Sequence, residues 1–416
     1  MAIDPTVRRN VTPWASAALV LTALLTTSCA GRTTDDPAPE TSSSATTPHG
    51  YVEGAKEAAE QQSRLLLNDP GTGDSRVLDL ITGKVRATAR VAGTEQLDTD
   101  GRFGFLHTAR GTHVLDSGAW TVDHGDHVHY YRAATRDIGD LPTGPGTQVR
   151  SDAAVTAVTD EDGRTELYDR KELEKGGISS LRALPGAHAG AVIPYAERLL
   201  ALTKRGGAAK VSVYDREGEP VASPDAECED PRGDAVTGRG VVLGCADGAL
   251  LVSEEDGVLT ADRIPYGLDV PASERAVSFR YRPGGDTLTA PAGNEGVWVL
   301  DVTDRGWKRV STGPVVATGT AGEGSPLLVL ETDGSLHGYD VDTGEQVART
   351  GPLLTGPRPA GTTGGSGPVI EVDRSRAYVN DPDGKRVHEI DYNDDLRVAR
   401  TFDVDIEPHL MKETGR

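Results

Sequence analysis

Val77-Leu78-Asp79-Leu80-Ile81-Thr82-Gly83 is a short apolar run that ends on an aspartate and passes into a glycine turn. The same pattern returns along the chain. It stands at Val213-Tyr214-Asp215 before Glu217-Gly218, at Val299-Leu300-Asp301, at Gly338-Tyr339-Asp340 before Thr343-Gly344, and at Glu389-Ile390-Asp391. Asp116, Asp169 and Asp256 close weaker copies. Successive anchors lie 37, 53, 46, 41, 45, 39 and 51 residues apart. Repeats of this length, built from short strands, are the signature of β-propeller blades.

Physical reasoning favours one ring over several domains. A four-stranded blade cannot bury both of its faces alone, and stacking radially on two neighbours solves that. Asp-Gly pairs at Asp100-Gly101, Asp162-Gly163, Asp247-Gly248, Asp256-Gly257, Asp333-Gly334 and Asp383-Gly384 suit hairpin turns, which need a positive φ. β-branched runs such as Gly240-Val241-Val242-Leu243 lie beside them. The fold class predicted is all-β, a single β-propeller. Eight anchors give eight blades, or seven if the chain ends share strands to close the ring. Only Gly54 to Leu66 reads as helical, its end entering the first strand.

Composition agrees. The 416 residues include 50 glycines and 25 prolines, which points to many tight turns and away from long helices. With 37% hydrophobic residues the chain can still build a sizeable core. Three cysteines are too few for a disulfide-held miniprotein. A formal net charge of -21 repels polyphosphate, so nucleic acid is excluded as a partner class.

Residues 1–29 read as a targeting segment. Arg8 and Arg9 precede the apolar run from Trp14 to Leu25, which is of signal-peptide length and short for a transmembrane helix. Leu25-Thr26-Thr27-Ser28-Cys29 resembles a bacterial lipobox, with Thr26 where Leu is usual. Cys29 is then the lipidated N-terminus of a protein held at the outer face of the cytoplasmic membrane; ordinary secretion is the alternative. Residues 30–50, rich in Ser, Thr, Pro and Asp, form a disordered tether, and residues 51–416 the propeller domain. Membrane contact is through the N-terminal lipid only. Cys228 and Cys245 remain as an even pair in an oxidising compartment, which predicts a disulfide; a zinc thiolate pair is disfavoured by the absence of a CxxC knuckle.

One segment breaks the repeat's pattern. Asp123-His124-Gly125-Asp126-His127-Val128-His129-Tyr130-Tyr131 packs three of the chain's ten histidines together. On a strand, His127 and His129 project from the same face, and Gly125 lets the backbone fold His124 back toward them. Three imidazoles could converge on one ion, with Asp126 or Asp123 as fourth ligand or as the carboxylate that orients a ring. Such a donor set suits Zn²⁺ first, with Cu²⁺ and Ni²⁺ as competitors. The alternative is a polar loop with uncoordinated histidines. His188, among small residues before Ala191-Val192-Ile193, is a second candidate. His107 and His113 flank a turn and read as ordinary surface or mouth residues; His337, His388 and His409 have no neighbours that invite a ligand role. There is no HExxH, GxSxG or Walker loop, so the chain reads as a non-enzyme.

The histidine block through Arg132-Ala133 resembles the motif of the AztD family, zinc metallochaperones encoded with some bacterial zinc ABC transporters. The likeness includes His188, Gly244-Cys245-Ala246-Asp247-Gly248, Ala377-Tyr378-Val379-Asn380-Asp381, His388-Glu389-Ile390-Asp391-Tyr392 and Ala399-Arg400-Thr401-Phe402. It implies a β-propeller that binds zinc outside the cytoplasmic membrane and hands it to the transporter's substrate-binding protein by direct ligand exchange. His124, His127, His129 and His188 are the metal positions it implies. One departure stands out. The family carries His-Gly-Glu soon after the first cysteine; here Cys228 is followed by Pro231-Arg232-Gly233-Asp234, and a protonated arginine cannot ligate zinc. The tether offers only His49 for metal capture. Two other readings are an extracytoplasmic scaffold with an incidental histidine loop, and a lactonase or quinoprotein-like enzyme. Four tryptophans are too few for the recurrent Trp of quinoprotein blades.

Overall fold

The computed structural model describes residues 52–124, 127–205, 208–356, 360 and 366–416. The leader, Cys29 and the tether lie outside the described residues, as do Gly125 and Asp126. Antiparallel meanders follow one another along the chain, and the repeat explains their turns. Asp79 Oδ1 accepts from the Thr82 amide at 2.8 Å, Asp340 Oδ1 from Thr343 at 2.7 Å and Asp301 Oδ1 from Asp304 at 2.9 Å. Each aspartate thus ends a strand by mimicking a backbone turn.

Among the described residues, eight sheets are such meanders. The first joins Arg64–Asn68, Asp74–Asp79 and Val85–Arg90 to the C-terminal strand Leu410–Thr414, which pairs with Arg64–Asn68. The others occupy, in order, 94–141, 148–184, 193–229, 234–265, 287–311, 315–352 and 370–403. Every meander shares a buried apolar cluster with the next. Leu66 of the first packs with Leu97 and Leu106 of the second. The series continues around until Tyr378 and Val387 of the last meet Leu65 and Leu67 of the first. This closed cycle is the propeller-like arrangement that the repeat predicted.

The helical reading of Gly54 to Leu66 does not hold. The segment contains the strands Lys56–Ala58 and Arg64–Asn68. Leu65, Leu66 and Leu67 are all fully buried, because this strand lies between two neighbouring sheets and fills both interfaces. Burial on both faces and pairing on both edges outweigh the local helix propensity of Ala, Glu and Gln. Among the described residues the α-helix is Arg170–Lys175, capped by Asp169 and ended by Gly176. Among the described residues no helix is long and apolar enough to cross a membrane.

A ninth, three-stranded sheet stands apart from the meanders. Its strands are Lys56–Ala58, Val128–Arg132 and Ala119–Asp123, with Val128–Arg132 in the middle. The last two form a hairpin inserted in the second meander, between Gly111–Asp116 and Arg136–Leu141, and the hairpin carries the histidine block.

Candidate metal centre

The base of this hairpin is pinned by buried charge. Asp116 accepts from Arg102 Nη2 at 2.9 Å and Arg136 Nη2 at 2.7 Å, and from the Gly118 amide that opens the hairpin. Arg102 and Asp116 are nearly inaccessible, and the ionic partners hold the Asp116 carboxyl below its usual range despite its burial. The Arg102 guanidinium lies 3.8 Å from the centre of the Trp120 ring. Trp120 stacks on Tyr131, its cross-strand partner, at 5.4 Å, and Tyr131 stacks on His129 at 6.2 Å. A column of flat groups therefore runs from the core to a histidine.

At the hairpin's end the three imidazoles meet. His124 and His127 bracket the tip, where the His124 amide donates to the His127 carbonyl at 3.0 Å. His129 lies opposite Val122 on the returning strand. Ring centroids are 4.9 Å apart for His124 and His127, 5.4 Å for His124 and His129, and 4.9 Å for His127 and His129. One potential ligand nitrogen from each lies within 4.8 Å of the other two. His124 and His127 are exposed and His129 is half-buried, so a divalent ion could enter from solvent.

The structure supplies a carboxylate the sequence reading missed. Glu57, on the short N-terminal strand, takes the His129 Nδ1 hydrogen at 2.7 Å. A carboxylate accepts and does not donate, so this bond places the proton of the neutral ring on Nδ1 and leaves the Nε2 lone pair available to a metal. No sequence signal marks Glu57, which lies 72 residues from its partner.

Other candidates lie elsewhere. His188 forms an isolated bridge with Thr203 in another meander and is not part of the trio. It is 6% exposed; its Nδ1 donates to the Gly163 carbonyl at 3.1 Å, and its Nε2 is buried with no hydrogen-bond partner among the described residues. Burial holds this imidazole's pKa below the ordinary value. Gly163, with φ +80°, gives His188 its seat, since a Cβ there would collide with the His188 backbone. Arg232 pairs with Asp230 at 3.2 Å and lines a small cavity beside Cys245. Cys228 and Cys245 form a disulfide. His107 and His113 are not free surface residues: His107 is 5% exposed and its Nε2 lies 3.3 Å from Asp98, while His113 Nδ1 faces Asp140 at 2.7 Å. His337 has neighbours only the fold reveals. It forms a second potential ligand group with Glu331 and Asp333 across one hairpin turn, but Arg349 Nη2 already holds Asp333 at 2.7 Å and the Tyr339 hydroxyl holds Glu331 at 2.5 Å.

No family model matches the chain. The zinc chaperone AztD of Citrobacter koseri is 24% identical over 341 residues, which cover 77% of this chain and 79% of that protein. A crystal structure of AztD from the same organism aligns with a TM-score of 0.69 at 21% identity, over 85% of this chain and 98% of its own. Over most of its length the chain thus resembles AztD in sequence and in fold. A structure of apo AztD gives 0.68 at 18% identity with the same coverage. AztD is not alone in this likeness. The dihydro-heme d1 dehydrogenase NirN matches with a TM-score of 0.53 at 15% identity, over 86% of this chain and 76% of its own, a likeness of fold alone.

Proposed function

We propose that this chain is a zinc-binding metallochaperone acting outside the cytoplasmic membrane. It would take up Zn²⁺ on His124, His127 and His129 and deliver it to the substrate-binding protein of a zinc ABC transporter. The observation that carries this reading is the convergence of three imidazoles on one exposed hairpin tip. Three neutral imidazoles with an open fourth position make a site that holds zinc yet lets an incoming ligand attack the ion, as transfer by ligand exchange requires. Asp126, between His124 and His127 in sequence, is proposed as a fourth ligand that stands in that position until the incoming ligand displaces it. His188, with its buried and unpartnered Nε2, is proposed as an additional metal position reached separately. AztD is by name a zinc chaperone, and the disulfide accords with an oxidising compartment. We further propose that Cys29 carries the lipid anchor and residues 30–50 the tether for a domain of residues 51–416. A binding role accounts for these features without a catalytic group.

The purified protein should bind about one zinc ion per chain at the histidine hairpin. The combined substitution His124→Ala, His127→Ala and His129→Ala should abolish this binding, and unchanged stoichiometry would remove the assignment. His188→Ala and Asp126→Ala, measured separately, decide whether those residues contribute. Zinc should pass to the substrate-binding protein faster than it dissociates into a chelator; equal rates would reduce the role to buffering.

A further inference from the structure

The N-terminal strand Lys56–Ala58 is bound weakly to the sheet that carries the histidines. It is three residues long and, among the described residues, lies at the sheet's edge and pairs only with Val128–Arg132. Lys56 and Glu57 are exposed and Ala58 is half-buried, so little apolar area holds the strand down. Its register sets Lys56 directly opposite Arg132. Like charges facing each other across a ladder destabilise the pairing. Short, solvated, charge-opposed elements open at low free energy while the rest of a domain stays folded. Yet this strand carries Glu57, the residue that fixes the His129 ring from 2.7 Å.

We propose that Glu57 is a positioning residue for zinc and that its strand is the gate of the site. With the strand paired, Glu57 holds the His129 ring in place, with Nε2 directed to the ion. With the strand peeled away, His129 turns freely and zinc leaves more readily. Release is thereby coupled to movement of the chain's N-terminal segment, with no change in the ligands themselves. This inference rests on the zinc reading of the hairpin and adds to it a means of lowering affinity on demand.

The test uses the whole chain, with Zn²⁺ as probe and a fluorescent chelator to follow release. Glu57→Ala should weaken zinc binding about 10- to 100-fold, the usual cost of removing a carboxylate behind a ligating histidine. Glu57→Gln, which can still accept from Nδ1 without the charge, should fall between the two. A structural role alone would not produce that order. The gate is tested by charge. Lys56→Glu turns the pair with Arg132 into an attractive one and should slow zinc release several-fold. Adding Arg132→Glu restores like charges and should return release to the original rate, although the site is then more negative still. If the double variant releases zinc even more slowly than Lys56→Glu, simple attraction of the cation governs the rate and the gate is refuted. If Glu57 variants bind zinc as the parent does while His129→Ala does not, the positioning role fails and the zinc site stands. If His129→Ala also leaves binding unchanged, the zinc reading itself has failed.

Discussion

Glu413 sits on the C-terminal strand that completes the first meander, and only 1% of it is accessible. Burial, with the neighbouring Asp373 and Glu371 carboxylates, pushes its pKa up from 4.5 to about 7, against the opposing pull of Arg416. The folded chain therefore keeps a proton that the unfolded chain gives up near 4.5. As pH rises between these values the native state binds more protons than the unfolded state, so stability falls with pH. The full loss, reached above neutrality, is about 3 kcal/mol, from roughly 1.4 kcal/mol per unit over the interval. Glu413→Gln mimics the protonated carboxyl at every pH. It should match the parent near pH 4 and exceed it by about 3 kcal/mol at pH 8. Denaturant midpoints of both proteins at the two pH values measure this, because other ionisable groups are common to both and cancel. An equal difference at pH 4 and pH 8 would refute the argument, since a packing or hydrogen-bond effect of glutamine has no reason to follow that titration.

Three further outcomes are expected. Asp116→Asn leaves the buried Arg102 guanidinium without its main counter-charge, which should cost about 3–5 kcal/mol; loosening the hairpin base should also lower zinc affinity with every histidine intact, as titration calorimetry would show. Removing the Cys228–Cys245 bridge by Cys228→Ala with Cys245→Ala should cost about 3 kcal/mol for a link spanning 17 residues, read as a lower denaturant midpoint. Burial holds the His388 imidazole below its ordinary pKa of 6.5, so its stabilising share is complete above that value and is lost as pH falls through the folded one. His388→Gln should therefore narrow the gap in melting temperature between pH 5 and pH 7.5, and an unchanged gap would count against that account.

The repeat was legible because each anchor does its work locally. Asp79, Asp301 and Asp340 hydrogen-bond to amides three residues on, and such bonds leave a signature at fixed spacing. The histidine hairpin was legible for the same reason, its three rings being set by one tip. Glu57 was not, because the bond to His129 arises from pairing between distant segments, and a strand of three residues has too few positions to show a period. The sequence reading of that region as helix followed its Ala and Glu content, which is a weak preference against pairing and burial. His337 shows the same limit: Glu331 and Asp333 face it only once the hairpin is folded.

The pairing of Leu410–Thr414 with Arg64–Asn68 sets an order of events as the protein is made. The first meander lacks one of its four strands until Leu410–Thr414 arrives. Every other meander is assembled from nearby sequence and can form as it emerges, whereas this seam joins segments almost the whole domain apart. Contacts of such separation form slowly, because the closing entropy comes before the gain. Arg64–Asn68 must therefore wait with an open edge and three apolar side chains, and this meander is exposed to proteolysis and mispairing in the interval before Leu410–Thr414 is made.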